Sequence, residues 1–486
     1  MLAAVTRPAD ELGRLFARRS RELALVGGPV RDVFLGRVPG DLDLATDASP
    51  EEVLAITAGW ADASWTVGIE FGTIGLRKDD LTFEVTTYRS EKYQADSRKP
   101  DVRYGRSLEG DLGRRDFTVN AMAARLPSRE LVDPFGGLAD LRAKVLRTPG
   151  RPEDSFTDDP LRILRAARFS AQLGFEPTAE VRQAMTELAG RLEIVSAERI
   201  RDELTKLILA AAPVRGIELL VDTGVADQVL PEIPGLRLEV DEHYRHKDVY
   251  HHSLIVLEQA IALEERYQLG TDQHGGDLVL RLAALLHDIG KPKTRTRQPG
   301  GRVAFHHHEA VGAAMARARL RKLRFSAAVV DDVSSLVGLH LRFHGYGSGE
   351  WTDSAVRRYV SAAGPLLTRL HALTRADCTT RNKAKAVRLA RSYDSLEDRI
   401  ETLSQQEELD SLRPDLDGNE IMSILGVPPG RIVGRAIKHL LDLRIEHGPL
   451  GKERATQELL RWAAAEGLID EPDADPPAAA GPLSSE

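Results

Sequence analysis

Between residues 20 and 135 short apolar runs alternate with polar breaks, the pattern of a sheet whose strands are separated by turns and helices. Candidate strands fall at 23–26, 41–45, 72–77, 81–88 and 117–125. Ser49-Pro50-Glu51-Glu52 sets an N-cap before a first-turn proline and predicts a helix ending near Gly59. Beyond Pro160 the spacing of Leu, Ile and Ala turns helical almost throughout, placing a domain boundary near 140–155. A second shift comes near 235–250, where histidines begin to crowd. A third comes near 410, where Arg413-Pro414-Asp415-Leu416-Asp417-Gly418 interrupts the helices. Residues 471–486 are Pro, Ala, Ser and acid, which predicts a disordered tail.

Composition adds bounds. The 486 residues, 42% hydrophobic, suffice for several cores. The single cysteine, Cys378, excludes an internal disulfide and fits a reducing compartment. No basic-apolar leader pattern and no run of 18 apolar residues stand out, so a cytoplasmic location is expected. A net charge of −8 argues against nucleic acid, yet basic residues cluster at 98–115, 142–168 and 381–391. Local basic grooves on an acidic protein fit that distribution as well as solvated faces do.

The chemistry concentrates in three segments. Gly27-Gly28-Pro29-Val30-Arg31-Asp32 follows a short strand, and Asp41-Leu42-Asp43 begins nine residues after Asp32. Carboxylates at i and i+2 of a strand share a face, and two hard oxygen ligands suit Mg²⁺ in phosphoryl or nucleotidyl transfer. The alternative is an acidic loop after a Pro-Gly turn. Gly28 and the start of the next helix can cradle a triphosphate, with Arg31 to neutralise it. Second, Arg114-Arg115-Asp116-Phe117-Thr118-Val119-Asn120 switches abruptly from charge to an apolar strand. Third, Asp159, Arg162, Arg165 and Arg168, three residues apart, predict a charged spiral stripe on one helix.

Together these segments resemble the class II tRNA nucleotidyltransferases, the CCA-adding enzymes of the polymerase β superfamily, whose motifs bacterial poly(A) polymerases share. The resemblance implies an α+β chain. A polymerase β-like palm of mixed sheet and helices would fill residues 1–145, a helical neck 146–235, an HD-type helical domain 236–405, a helical tRNA-binding tail 406–470 and a disordered end 471–486. It implies Asp41 and Asp43 as catalytic ligands of two Mg²⁺. Gly28, Arg31, Arg115, Asp116, Asp159, Arg162, Arg165 and Arg168 would bind nucleotide: the arginines the triphosphate, Asp116 the ribose, and Asp159 with Arg162 the base. Residues 96–100 sit where the family has a flexible loop, and Glu84 is a candidate third carboxylate. Cytosine and adenine both set an amino donor beside a ring-nitrogen acceptor, so an Asp/Arg pair accepts them and rejects U and G. The expected reaction is template-independent addition of CCA to tRNA from CTP and ATP, with pyrophosphate released.

His252, His287-Asp288, His308, His340 and Asp377 form a separate candidate metal set, since a His-Asp pair ending an apolar helix with histidines around it is a metal-site pattern. This resembles the HD-domain phosphohydrolases, and implies a second divalent metal there. Residues 416–440 predict helix, Gly-Pro-Pro-Gly turn and helix, similar to the family's tail. The rival readings are a poly(A) polymerase, a partial enzyme adding only C or only A, and a phosphohydrolase acting mainly through the histidine domain. Oligomeric state is not legible.

Overall fold

A computed structural model describes residues 2–38, 40–88, 107–237, 249–270, 275–299, 303–343, 351–379, 383–407 and 413–469. The expected loop at 96–100, part of the basic clusters and the tail 471–486 lie outside the described residues. The chain divides into two compact units, Met1–Glu264 with Gln268–Ser334, and Glu265–Tyr267 with Ser335–Glu486.

The first unit is built on a seven-stranded sheet of Leu23–Val26 (β1), Leu42–Thr46 (β2), Ala63–Trp65 (β3), Thr73–Lys78 (β4), Leu81–Thr87 (β5), Ala123–Arg125 (β6) and Leu131–Val132 (β7). Their spatial order is β3-β4-β5-β2-β1-β6-β7. Only β2 and β5 run parallel; the remaining pairs are antiparallel. Strand alternation sorts the residues. Leu42, Leu44, Ile74, Leu76, Phe83 and Val85 face a core with Leu12, Phe16 and Val53 from the helices Leu2–Arg18 and Pro50–Thr57. Asp43, Thr73, Glu84 and Thr86, at the intervening positions, face the opposite side. The predicted Ser49 cap is a capping box, with Glu52 reaching back to the Ser49 N–H.

Four predicted strands appear within a residue or so of their expected bounds. The fifth does not: residues 118–120 form a 3₁₀ turn, and only 123–125 pair in the sheet. The apolar run there was buried by packing, which periodicity alone reads as a strand. Beyond the sheet, helices follow one another, including Leu161–Leu173, Ala197–Ile208, Val249–Leu263 and Leu278–Leu286, as the composition shift predicted.

In the second unit, Gly418–Leu425, Arg431–His447 and Lys452–Ala465 form a three-helix cluster around Ile421, Ala436, Leu440 and Leu459. Gly426, at φ +65°, ends the first of these, and the turn reads Gly426-Val427-Pro428-Pro429-Gly430, one residue longer than the expected Gly-Pro-Pro-Gly. Among the described residues no helix is long and apolar enough to cross a membrane.

Phe83 is fully buried and meets Trp60 edge-on, ring centroids 5.4 Å apart. Phe83→Ala is expected to cost about 3–5 kcal/mol in a urea unfolding transition.

Candidate active site

The pairing register assembles the acid side of the site. Asp43 of β2 lies opposite Glu84 of β5, so their side chains are neighbours on one face. Asp41, two residues earlier and exposed, extends that row at the mouth of β2. Burial pushes the Asp43 carboxyl up to about 6; Arg115 opposes the shift, and Glu84 and Asp41 add to it. Crowded carboxylates of this kind form an all-oxygen donor set suited to a divalent cation.

The basic side begins where β1 ends. Gly27 has φ +74°, which favours glycine, and a Cβ there would lie 2.7 Å from Nη1 of Arg115 and so push that guanidinium aside. Arg115 is braced by Asp111 Oδ2 at 3.1 Å, and Asp111 also accepts from Arg114 Nε at 3.3 Å. Arg31 donates from Nη1 to Asn120 Oδ1 (2.6 Å), and Asn120 Nδ2 donates to Asp116 Oδ1 (2.9 Å). Asp116 Oδ2 receives Arg165 through Nε (2.7 Å) and Nη2 (2.6 Å). Burial would push the Asp116 carboxyl up, but Arg165, Asn120, Arg162 and the Phe117 N–H outweigh it and hold it down to about 2. Burial pushes the Arg168 guanidinium down to about 10 against the pull of Glu203, 3.2 Å away. Arg31, Arg165 and Arg168 surround the Phe169 ring at 5.4, 5.6 and 4.2 Å from its centroid.

Asp159 and Arg162 flank this network, with Arg162 close enough to help hold the Asp116 carboxyl down. Asp159 is not part of the helical stripe, because its backbone is extended (φ −137°, ψ 98°) in the break between Pro152–Asp158 and Leu161–Leu173. Proline at 160 disfavours helical geometry at the residue before it. Both Asp159 carboxylate oxygens lie 3.4 Å from Arg199 Nη2. Arg162 donates to Ser155 Oγ at 2.8 Å and to the Arg114 carbonyl. Gly28, Arg31, Asp43, Glu84, Arg115, Asp116, Asn120, Asp159, Arg162, Arg165 and Arg168 line one cleft of about 640 Å³, and Asp41 lies outside that lining. Asp111, Asn120, Glu203 and Arg199 were not anticipated as site residues. For Asp111 a signal existed, since it stands three and four residues before the two arginines.

In the same unit His252, His287, Asp288 and His308 also converge. His287 Nε2 lies 3.3 Å from His252 Nε2 and 3.2 Å from Asp288 Oδ2, and His308 Nε2 lies 3.3 Å from Asp288 Oδ1. The Nδ1 atoms of His287 and His308 each meet a carbonyl three residues earlier, Ala284 and Phe305, both at 2.8 Å. That fixes the ring orientation and turns Nε2 toward Asp288, a carboxylate held well below its usual range by His287, His308 and Lys291 despite its burial. His340 and Asp377 belong to the second unit; His340 is buried and its Nδ1 meets the Val337 carbonyl at 2.7 Å, and Asp377 ends the helix Leu367–Asp377.

Three family models match the chain: a poly A polymerase head domain over 23–147, a probable RNA and SrmB-binding site of polymerase A over 174–236, and an HD domain over 249–382. The A-adding tRNA nucleotidyltransferase of Deinococcus radiodurans is 35% identical over 452 residues, 90% of this chain and 95% of that protein. The chain belongs to the tRNA nucleotidyltransferase family. It is a nucleotidyltransferase enzyme. A CCA-adding enzyme of Leuconostoc mesenteroides is 42% identical over 219 residues, which span 45% of this nucleotidyltransferase but only 52% of that relative. The solved structure of the Bacillus stearothermophilus CCA-adding enzyme in complex with CTP matches the nucleotidyltransferase with a TM-score of 0.68 at 25% identity, covering 95% of this chain and 99% of that one.

The Asp116 carboxyl ionises more easily folded than unfolded, so its stabilisation is complete above its unfolded value near 4 and is lost as pH falls from there toward 2. The unfolding free energy of wild type relative to Asp116→Asn is expected to narrow by about 2 kcal/mol across that window in urea titrations.

Proposed function

We propose that this cytoplasmic enzyme adds C and A to the 3′ end of tRNA without a nucleic-acid template, using CTP and ATP and releasing pyrophosphate. The observation that carries the reading is one cleft in which the Asp43–Glu84 row faces arginines, with Asp159 and Arg162 on its wall. Asp41 and Asp43, with Glu84 beside them, would hold two Mg²⁺, which when bound lower the pKa of a 3′-hydroxyl and offset triphosphate charge. Arg115, Arg31, Arg165 and Arg168 supply the cationic wall for the triphosphate. Asp116 reaches a ribose only by sharing oxygens that Arg165, Asn120 and the Phe117 N–H already occupy, so its first role is to fix Arg165.

Asp159 accepts from the exocyclic amino group and Arg162 donates to the ring nitrogen of C or A. U or G would leave those groups unpaired, at about 1–3 kcal/mol each. The same reading assigns 1–145 to a head, 146–235 to a neck, 236–405 to an HD domain and 406–470 to a tail that holds tRNA. His252, His287, Asp288 and His308, with His340 and Asp377 as the further sequence candidates, would bind a second divalent metal for phosphoester hydrolysis.

A narrower reading, addition of A alone, is favoured by the 35% identity to an A-adding enzyme across 95% of its length. tRNAs ending before, within and after CC, given CTP and ATP singly and together, distinguish the two at single-nucleotide resolution. Completion of CCA from every end supports the broader reading, and AMP addition only to ends already carrying CC supports the narrower one. Long A tails from ATP alone would make the enzyme a poly(A) polymerase. Asp43→Ala is expected to lower the rate by more than about 1,000-fold, and Arg162→Ala to narrow the preference for CTP over UTP by about 10- to 100-fold.

A further inference from the structure

The carboxylate row does not stop at Glu84. Gly75 of β4 pairs with Glu84, and Trp65 of the edge strand β3 pairs with Gly75. Asp43, Glu84, Gly75 and Trp65 therefore occupy one line across four adjacent strands on the cleft side of the sheet. The Trp65 ring fills the place of the missing side chain: a Cβ on Gly75 would lie 2.0 Å from Trp65 Nε1 and Cε2. Trp65 as a residue nevertheless remains 37% exposed, and the chain continues through Val67, Ile69 and Phe71 at 88, 38 and 43% exposed. An indole on an edge strand, next to a row of acids and opening an exposed apolar stretch, is what a stacking surface for a base requires.

The two sides of the acid row differ in chemistry. Toward β1 the cleft wall is Arg31, Arg115 and Arg165, which suits a triphosphate; toward β4 it is Thr73 and Thr86, whose hydroxyls meet at 2.9 Å. Nucleotidyl transfer brings a second substrate, the RNA end whose 3′-hydroxyl attacks, to the same carboxylates. With the triphosphate on the arginine side, that end has the β4 side. Gly75 lies two strands from Asp43, about 10 Å at about 4.8 Å per strand. A nucleotide with its sugar at Asp43 can extend its base over that span.

We propose that Trp65 is the stacking platform for the terminal base of the acceptor RNA, and that Gly75 is there to let the indole lie flat beside Glu84. The proposal rests on the nucleotidyl-transfer reading above. Base–aromatic stacking of ordinary strength predicts that Trp65→Ala raises KM for the tRNA acceptor about tenfold while KM for ATP stays unchanged. Trp65→Phe retains most of the affinity, whereas Trp65→Leu, apolar but unable to stack a base, behaves like the alanine variant. Gly75→Ala, which displaces the ring, reproduces the loss.

Quenching of intrinsic fluorescence by a short single-stranded RNA ending in CC gives a readout independent of turnover. It is expected in wild type and largely absent in Trp65→Phe, although the other three of the four tryptophans remain. An unchanged acceptor KM in Trp65→Ala, or phenylalanine performing no better than leucine, overturns the proposal. If the alanine variant does not fold, the phenylalanine–leucine comparison and the quenching decide it. Wild type that quenches with RNA but adds no nucleotide would sink the functional reading and leave the stacking surface standing.

Discussion

The candidate site depends on one ion pair, enclosed on its carboxylate side and open to the cleft on its guanidinium side. Asp116, at the end of the segment leading into the 3₁₀ turn, holds Arg165 of the helix Leu161–Leu173 through two contacts, and so fixes that helix against the sheet. Asp116 is enclosed, so removing Arg165 leaves its carboxylate short of its main counter-charge. Its larger role is to make a crowd of cations tolerable. Arg31, Arg165 and Arg168 share one aromatic ring, and each has an acceptor of its own: Asn120 for Arg31, Asp116 for Arg165, Glu203 for Arg168. Arg31 also pairs with Asp32 Oδ1 at 2.9 Å, so these three guanidiniums face three carboxylates, and the positive charge left over is that of Arg162, whose acceptors, the Ser155 hydroxyl and the Arg114 carbonyl, are neutral. A polyanionic substrate is the counterpart of that excess.

The acid side follows from strand alternation. Once Leu42 and Leu44 must enter the core, Asp43 has to face the other way, and parallel pairing with β5 brings Glu84 beside it because Phe83 and Val85 obey the same constraint. A slip of one residue in either strand would put a carboxylate into the core. Core burial therefore enforces the register of the carboxylate face.

Most of this was legible where local chemistry and periodicity agreed. β1, β2, β4 and β5, the Ser49 capping box, the carboxylates and the arginines of the cleft all declare themselves through spacing. The misreadings come where tertiary packing decides. Phe117, Val119, Ala121 and Met122 are buried by tertiary packing, and residues 118–120 fold as a 3₁₀ turn. Asp159 follows the three-residue spacing of the stripe, yet Pro160 forces it out of the helix. Arg199 and Glu203 were invisible as partners, because nothing local links them to residues some forty positions earlier. Trp65 sits on a three-residue edge strand too short to leave a periodic signature.

The placement of Asp159 and Arg162 bears on how a protein side-chain pair can select a base. Without nucleotide neither group waits exposed to water alone: Asp159 has the Arg199 guanidinium, and Arg162 has the Ser155 hydroxyl and the Arg114 carbonyl. These partners match the base edge in kind, a donor for the carboxylate and acceptors for the guanidinium. On the proposed reading, selection is an exchange, in which a base enters only if its own donor and acceptor replace those being given up. Cytosine and adenine make the exchange nearly even. Uracil or guanine would strip partners from both side chains and return none, so discrimination arises from the cost of opening the pair as well as from the strength of its new contacts.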